Sequence, residues 1–185
     1  AFDSLQAKYA GKLMNHSADS LFRHRIELIP NCGHSIDYSL TTPWLKTYKR
    51  NPYPHTFMWE DYPMDGQRRQ GFYNLYVMKR PKAADELKDA SGEDRDYYEM
   101  DIQDNVIRLS VKKVTYQTVE RDPVYGIDLK FTKSYHPVSG GKWKIYLNDQ
   151  LVDMNRPVTV FINDRKAFEG KLVPRMEDMI TSCME

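Results

Sequence analysis

The stretch Pro157–Leu172, PVTVFINDRKAFEGKL, decides the fold class. Val158, Val160 and Ile162 fall on one face of an extended segment, a polar turn follows at Asn163 to Lys166, and a second extended segment returns. Alternation with period two on both sides of a tight turn is the pattern of a β-hairpin. The same grammar recurs upstream. Strand-like runs occur at Thr56–Glu60, Phe72–Met78, Tyr97–Ile102, Val106–Val119, Ile127–Thr132, Trp143–Asn148, Val158–Ile162 and Ala167–Val173, separated by clusters of Pro, Gly, Asn and Asp. Many short strands punctuated in this way predict a mostly-β fold, an antiparallel sandwich or barrel, and an immunoglobulin-like β-sandwich is the leading expectation. The charges alternate in sign and apolar residues thin out between Lys79 and Asp96, which reads as a solvated loop. A short amphipathic helix is expected at Met176–Met184.

The first fifty residues are written differently. Phe2, Leu5, Tyr9 and Leu13 recur at helical spacing over residues 1 to 15. Alternation then takes over from Leu21 to Ile29 and stops at Pro30. The Gly33-His34 pair sits in the turn that follows, and Thr42 and Pro43 supply the cap and first position of a short helix. Helix, strand, loop and helix in this order is a piece of an α/β layer. The two prolines of RNPYPH, Arg50 to His55, then forbid helix. The boundary is therefore placed after residue 50, with an α/β remnant at 1–50 and a β-sandwich domain at 51–185.

Composition narrows the functions. The 185 residues carry 27 basic and 26 acidic side chains, a formal net charge of +1, which leaves no basic footprint for nucleic acid. Hydrophobic residues make up 41% and are spread along the chain, enough for a packed core. No apolar run reaches the roughly 20 residues of a membrane span. Residue 1 opens an amphipathic segment without a signal peptide, which reads as the interior of a longer chain. Cys32 and Cys183 fit neither a disulfide framework nor a zinc site, and would pair only if the C-terminus folded back on the Gly33-His34 turn.

His34 is the candidate catalytic residue, because a loop imidazole after glycine can reach a cleft and its ordinary pKa suits proton transfer at neutral pH. The same pair also fits a surface or packing histidine. A metal site built from His34, Asp37 and Cys32 lacks any recognised ligand spacing, so no metal and no cofactor is expected. Asp37 reads as a loop cap. His24 reads as one position of its strand, and His16, His55 and His136 as turn residues. The chain contains no Gly-x-Ser-x-Gly elbow to present a nucleophile. Trp44 reads as a packing anchor, and Trp59, Tyr73 and Trp143 as strand residues filling a core.

Three stretches, GHSIDYSLTTPWLKTYKRNPYP, MWEDYPMDGQRRQGFYNLYV and LVDMNRPVTVFINDRKAFEGKL, resemble multidomain bacterial α/β-hydrolases of the dienelactone-hydrolase or prolyl-oligopeptidase-like type with an appended C-terminal β domain. The first resembles the histidine loop and the exit from the catalytic domain, the second an early strand pair of the β domain, and the third its final hairpin. Residues 80 to 142 lie outside the resemblance. It implies that His34 is the general base of a serine esterase or peptidase-like enzyme, that the serine and acid lie in an upstream catalytic domain of the same chain, and that the 185 residues alone are inactive. It also implies a periplasmic or extracellular parent. The family closes its last hairpin with Asn-Gly, and Asn163-Asp164-Arg165 here suggests a longer or differently twisted turn. The competing expectation is a non-catalytic module binding carbohydrate, motivated by 13 Tyr and a 12% aromatic share. A third is an interaction domain that covers the apolar face of its first helix by forming a homodimer.

Overall fold

The computed structural model describes residues 39, 41–63, 66–84 and 95–184. The expected helix at 1–15, the strand at 21–29 and the Gly33-His34 loop lie outside these residues. The chain divides into two units between Lys49 and Arg50. In the first, helix α1 spans Thr41–Lys46, two residues earlier than a cap at Thr42 and a first position at Pro43 would place it. The Thr47 amide and hydroxyl both donate to the Trp44 carbonyl and close the helix, at 3.1 and 2.7 Å. Half-buried Trp44 packs its ring against Tyr48, with centroids 5.1 Å apart.

The second unit is mostly β, with several antiparallel sheets. Its strands are β1 (Thr56–Asp61), β2 (Gly71–Phe72), β3 (Leu75–Lys79), β4 (Lys82–Ala83), β5 (Arg95–Gln103), β6 (Val106–Arg121), β7 (Asp128–His136), β8 (Val138–Ser139), β9 (Lys142–Ile145), β10 (Val158–Ile162) and β11 (Arg165–Gly170), followed by helix α2 (Met176–Met184). A six-stranded sheet runs β1-β5-β6-β10-β11, with β7 also paired to β6. A three-stranded sheet runs β2-β3-β9, and β4 pairs with β8.

Alternation fixes which side chains of the large sheet face inward. Phe57 and Trp59 of β1, Tyr98, Met100 and Ile102 of β5, and Ile107, Leu109 and Val111 of β6 meet Leu75 and Val77 of β3 in one core, joined by Leu151, Val152 and Val158. The register aligns these in rows, Trp59 beside Tyr98 beside Val111 and Phe57 beside Met100 beside Leu109. Each large apolar side chain buried this way contributes about 1.5–3 kcal/mol. The crossover from β9 to β10 is pinned by Asn105, which accepts from the Asp153 amide and donates to the Asp153 carbonyl, both at 2.8 Å.

Two turns explain the hairpins. Asp104 and Asn105 both take positive φ, 46° and 61°, as do Asn163 and Asp164, 47° and 62°. Both are two-residue turns whose twist matches that of the flanking strands. Asn163-Asp164 therefore makes a regular tight turn, and the longer or differently twisted turn expected from the missing glycine does not form. Asp tolerates the left-handed conformation well enough to stand in for glycine.

The structure departs from the sequence expectation at three places. Phe72–Met78 is a hairpin with its turn at Tyr73 and Asn74, where Tyr73 has φ 52° and is 37% exposed rather than in the core. The solvated loop between Lys79 and Asp96 contains strand at both ends: Lys82–Ala83 pairs with Val138–Ser139, and Arg95 and Asp96 open β5. Its charges hid this because Asp96 is buried by pairing with cations. His136 closes β7 instead of lying in a turn. One pairing also departs from the antiparallel pattern, since β10 runs parallel to β6.

Candidate functional site

Strand β6 is long enough to have two partners on one edge. Val106 to Leu109 pair in parallel with Thr159 to Ile162, and from Lys113 onward the same edge pairs antiparallel with β7, starting at His136. Ser110 to Lys112 lie between the ends of those two neighbours. Asn163 bridges part of the seam: its amide donates to the Leu109 carbonyl at 2.9 Å, and its side-chain oxygen accepts from the Val111 amide at 2.7 Å. The remaining space is a cleft of about 830 Å³, within the range of ligand sites.

Half-buried Val138, Trp143 and Ile162 form its apolar part, while Leu109 and Val111 border it with their side chains buried in the core. Trp143 lies over Gly141, where a Cβ would come within 2.3 Å of the indole and where φ is 99°, so only glycine fits. Arg108, Lys112, Arg165 and Asp164 bring charge, and Ser110 and Ser139 bring hydroxyls. Three cations against one carboxylate leave an excess of two positive charges before His136 is counted. Among the described residues no carboxylate forms an ion pair with Arg108, Lys112 or Arg165. Arg108 instead lies 4.7 Å over the Phe161 ring and Lys112 5.5 Å over Tyr135. His136 Nε2 is 2.7 Å from the Thr115 hydroxyl.

A second charged group lies at the end of the inner rows of the large sheet. Asp61, Asp96 and Lys113 are direct neighbours across β1, β5 and β6, and all three are buried. Lys113 Nζ is 2.6 Å from Asp96 Oδ1, Arg68 reaches Asp96 at 3.2 Å, and Arg80 reaches Asp61 at 2.9 Å. Burial pushes the Asp61 carboxyl above its ordinary value, against the pull of Arg80 and Arg68. Burial and the Asp96 charge likewise raise the neighbouring Tyr98 phenol. Every carboxylate here faces a cation, so the group acts as an internal clamp.

The outer face of the sheet carries a third cluster. Glu60 accepts a hydrogen bond from the Tyr116 hydroxyl at 2.8 Å and pairs with Lys133. Lys133 lies 5.4 Å from the ring centroids of Tyr97, Tyr116 and Tyr135. Burial would lower its pKa, but hydrogen bonds to Glu60 and Tyr116 outweigh that and hold it above the ordinary lysine value. Burial, followed by the bond to Glu60, raises Tyr116.

The residues expected from sequence to act at a site, His34 with Asp37 and Cys32, lie outside the described residues, as does the side chain of Cys183. Nothing in the sequence reading singled out Arg108, Lys112 or Arg165. The available signal was that Arg108 and Lys112 occupy even positions of β6, the face opposite Ile107, Leu109 and Val111. Among the described residues no three His, Cys, Asp or Glu side chains converge as a metal site, and no helix is long and apolar enough to cross a membrane. No family model, curated protein or solved structure matches the chain.

Proposed function

We propose that the chain is the C-terminal part of a serine hydrolase, with His34 as general base and residues 50–185 as a non-catalytic β module. The observation that carries this reading is the division of the chain between Lys49 and Arg50. A mostly-β unit begins there, directly after the Gly-His loop and helix that resemble the exit from a hydrolase catalytic domain. An apolar ribbon supports an accessory role for the β unit. Beyond the sheet, β6 and β7 continue as a two-stranded arm on which Val119, Val124, Tyr125, Ile127, Leu129 and Phe131 are all more than half exposed. Apolar groups gathered on a projecting arm mark a surface made for contact with protein. On this reading the nucleophilic serine and the acid belong to sequence outside these 185 residues, and the parent is periplasmic or extracellular.

The test is to express the chain with its upstream coding sequence and assay ester hydrolysis. The reading requires a Gly-x-Ser-x-Gly upstream and turnover that His34→Ala reduces by several orders of magnitude. Turnover unaffected by that substitution sinks it. The cleft favours a second reading, a carbohydrate-binding module. Retardation of the chain in gels containing polysaccharide supports that reading, and unchanged mobility across a broad panel refutes it.

A further inference from the structure

The geometry points to the seam cleft as a binding site for an acidic carbohydrate, a sugar chain carrying carboxylates, which rests on the binding-module reading. Arg108, Lys112 and Arg165 border one cleft without a carboxylate partner among the described residues, while the cleft's own acid is Asp164 alone. Arginine recognises carboxylates with paired donors in a fixed fork. Arg108 and Lys112 are stacked on Phe161 and Tyr135, which holds their charges at the mouth without neutralising them. Behind them the wall is apolar, with the Ser110 and Ser139 hydroxyls beside it. A sugar ring has the same mixture, with C–H groups on its faces and hydroxyls at its edges. A nucleic-acid strand would need bare aromatic faces for its bases, and here the cations already cover two of the rings.

The site is also preformed. The Asn163 clamp on Leu109 and Val111 and the packing of Trp143 on Gly141 both hold residues that line the cleft. A ligand would therefore meet a rigid slot and not have to order it, which favours binding.

The experiment runs the 185-residue chain through native gels containing polygalacturonate or neutral galactan, with inorganic phosphate and a short oligonucleotide as competitors. The proposal expects retardation by polygalacturonate and not by galactan, weakened as salt is raised. Arg108→Gln with Arg165→Gln should weaken binding about tenfold or more, since each removes a charge-assisted contact. Arg165→Gln alone keeps the test informative if the double variant does not fold, and Lys171→Gln, an exposed charge outside the cleft, should bind like the parent. Equal retardation in both gels would overturn the proposal while leaving the binding-module reading standing. Mobility unchanged in both gels would overturn the proposal, and the binding-module reading falls with it only if the broad polysaccharide panel also leaves mobility unchanged. Retardation indifferent to the arginine variants, or binding of phosphate or oligonucleotide without the polysaccharide, would overturn the proposal as well.

Discussion

Replacing Asp96 by Asn tests whether the buried charge group holds the large sheet together. The substitution keeps size and most hydrogen-bonding capacity but deletes the charge between Lys113, 2.6 Å away, and Arg68, 3.2 Å away. At an effective dielectric constant of about 20, a charge pair at the first separation interacts by roughly 6 kcal/mol and at the second by roughly 5 kcal/mol. Desolvation of the ions offsets most of that in the intact protein, so the pairs add little net stability. Once Asp96 is neutral that attraction is gone while the desolvation remains, because Lys113 stays only 3% exposed and has lost the carboxylate 2.6 Å away. Breaking a buried pair this way costs about 3–5 kcal/mol. Asp96→Leu with Lys113→Met should recover most of the loss, since an apolar pair removes both the charges and their desolvation. Urea unfolding of the 185-residue chain followed by tryptophan fluorescence reads both, because Trp59 occupies the row next to the charges. A loss below about 1 kcal/mol for Asp96→Asn, or a double variant no more stable than the single, would refute the argument.

The remaining predictions concern the same sheet and its seam. Asp61 has a folded pKa raised by burial above the ordinary 3.8, so its stabilisation is complete below that value and is lost as pH rises through the folded pKa. Wild type should accordingly lose ground against Asp61→Asn as pH is raised from acid to neutral, and a constant difference in Tm across that range would contradict the burial assignment. Asn163→Gly keeps the positive φ but removes the acceptor for the Val111 amide, so it should cost about 1–3 kcal/mol, and Asn163→Ala should cost more by adding backbone strain. Equal losses in thermal melts would show that one of the two causes is absent. Gly141→Ala should destabilise and shift the Trp143 emission, because the new Cβ would stand 2.3 Å from the indole at a φ of 99°. An unshifted spectrum with an unchanged Tm would show that the indole lies elsewhere.

The β architecture was legible wherever one strand face is apolar and its ends are marked by turn residues. Val158, Val160 and Ile162 with Asn163-Asp164 announce their hairpin, and Val106 to Val119 reads as one long strand because its alternation hardly breaks. What alternation cannot report is which neighbour a strand takes. The replacement of β10 by β7 along β6 is not announced by β6 itself, since odd positions from Ile107 to Thr115 are buried on both sides of the switch. Asp96 was misplaced for a different reason. Aspartate in a run of mixed charges is ordinarily solvated, and Lys113 across the strand pair, with Arg68, makes its burial tolerable. Tyr73 belongs to a third kind, in which a residue suited to strands is held at positive φ by the demands of a tight hairpin.

The cleft follows from the strand directions. β10 enters parallel to β6 because the long crossover after β9 returns it to the sheet beside the start of β6, where Asn105 pins that crossover. β7 comes back antiparallel from the far end of the same strand. Two strands approaching along one edge from opposite ends must stop short of each other unless their lengths match to the residue. Here they leave Ser110 to Lys112 between them. The backbone of that interval needs partners, and Asn163 supplies one for Val111 from the tip of a tight turn. The same turn carries Asp164 and is followed by Arg165, while outward-facing Arg108 stands just before the interval on β6 and Lys112 at its end. The residue that closes the seam thus also fixes where the charges stand, so a substitution at Asn163 should disturb anion binding at Arg165 along with stability, whereas Arg165→Gln should disturb binding alone.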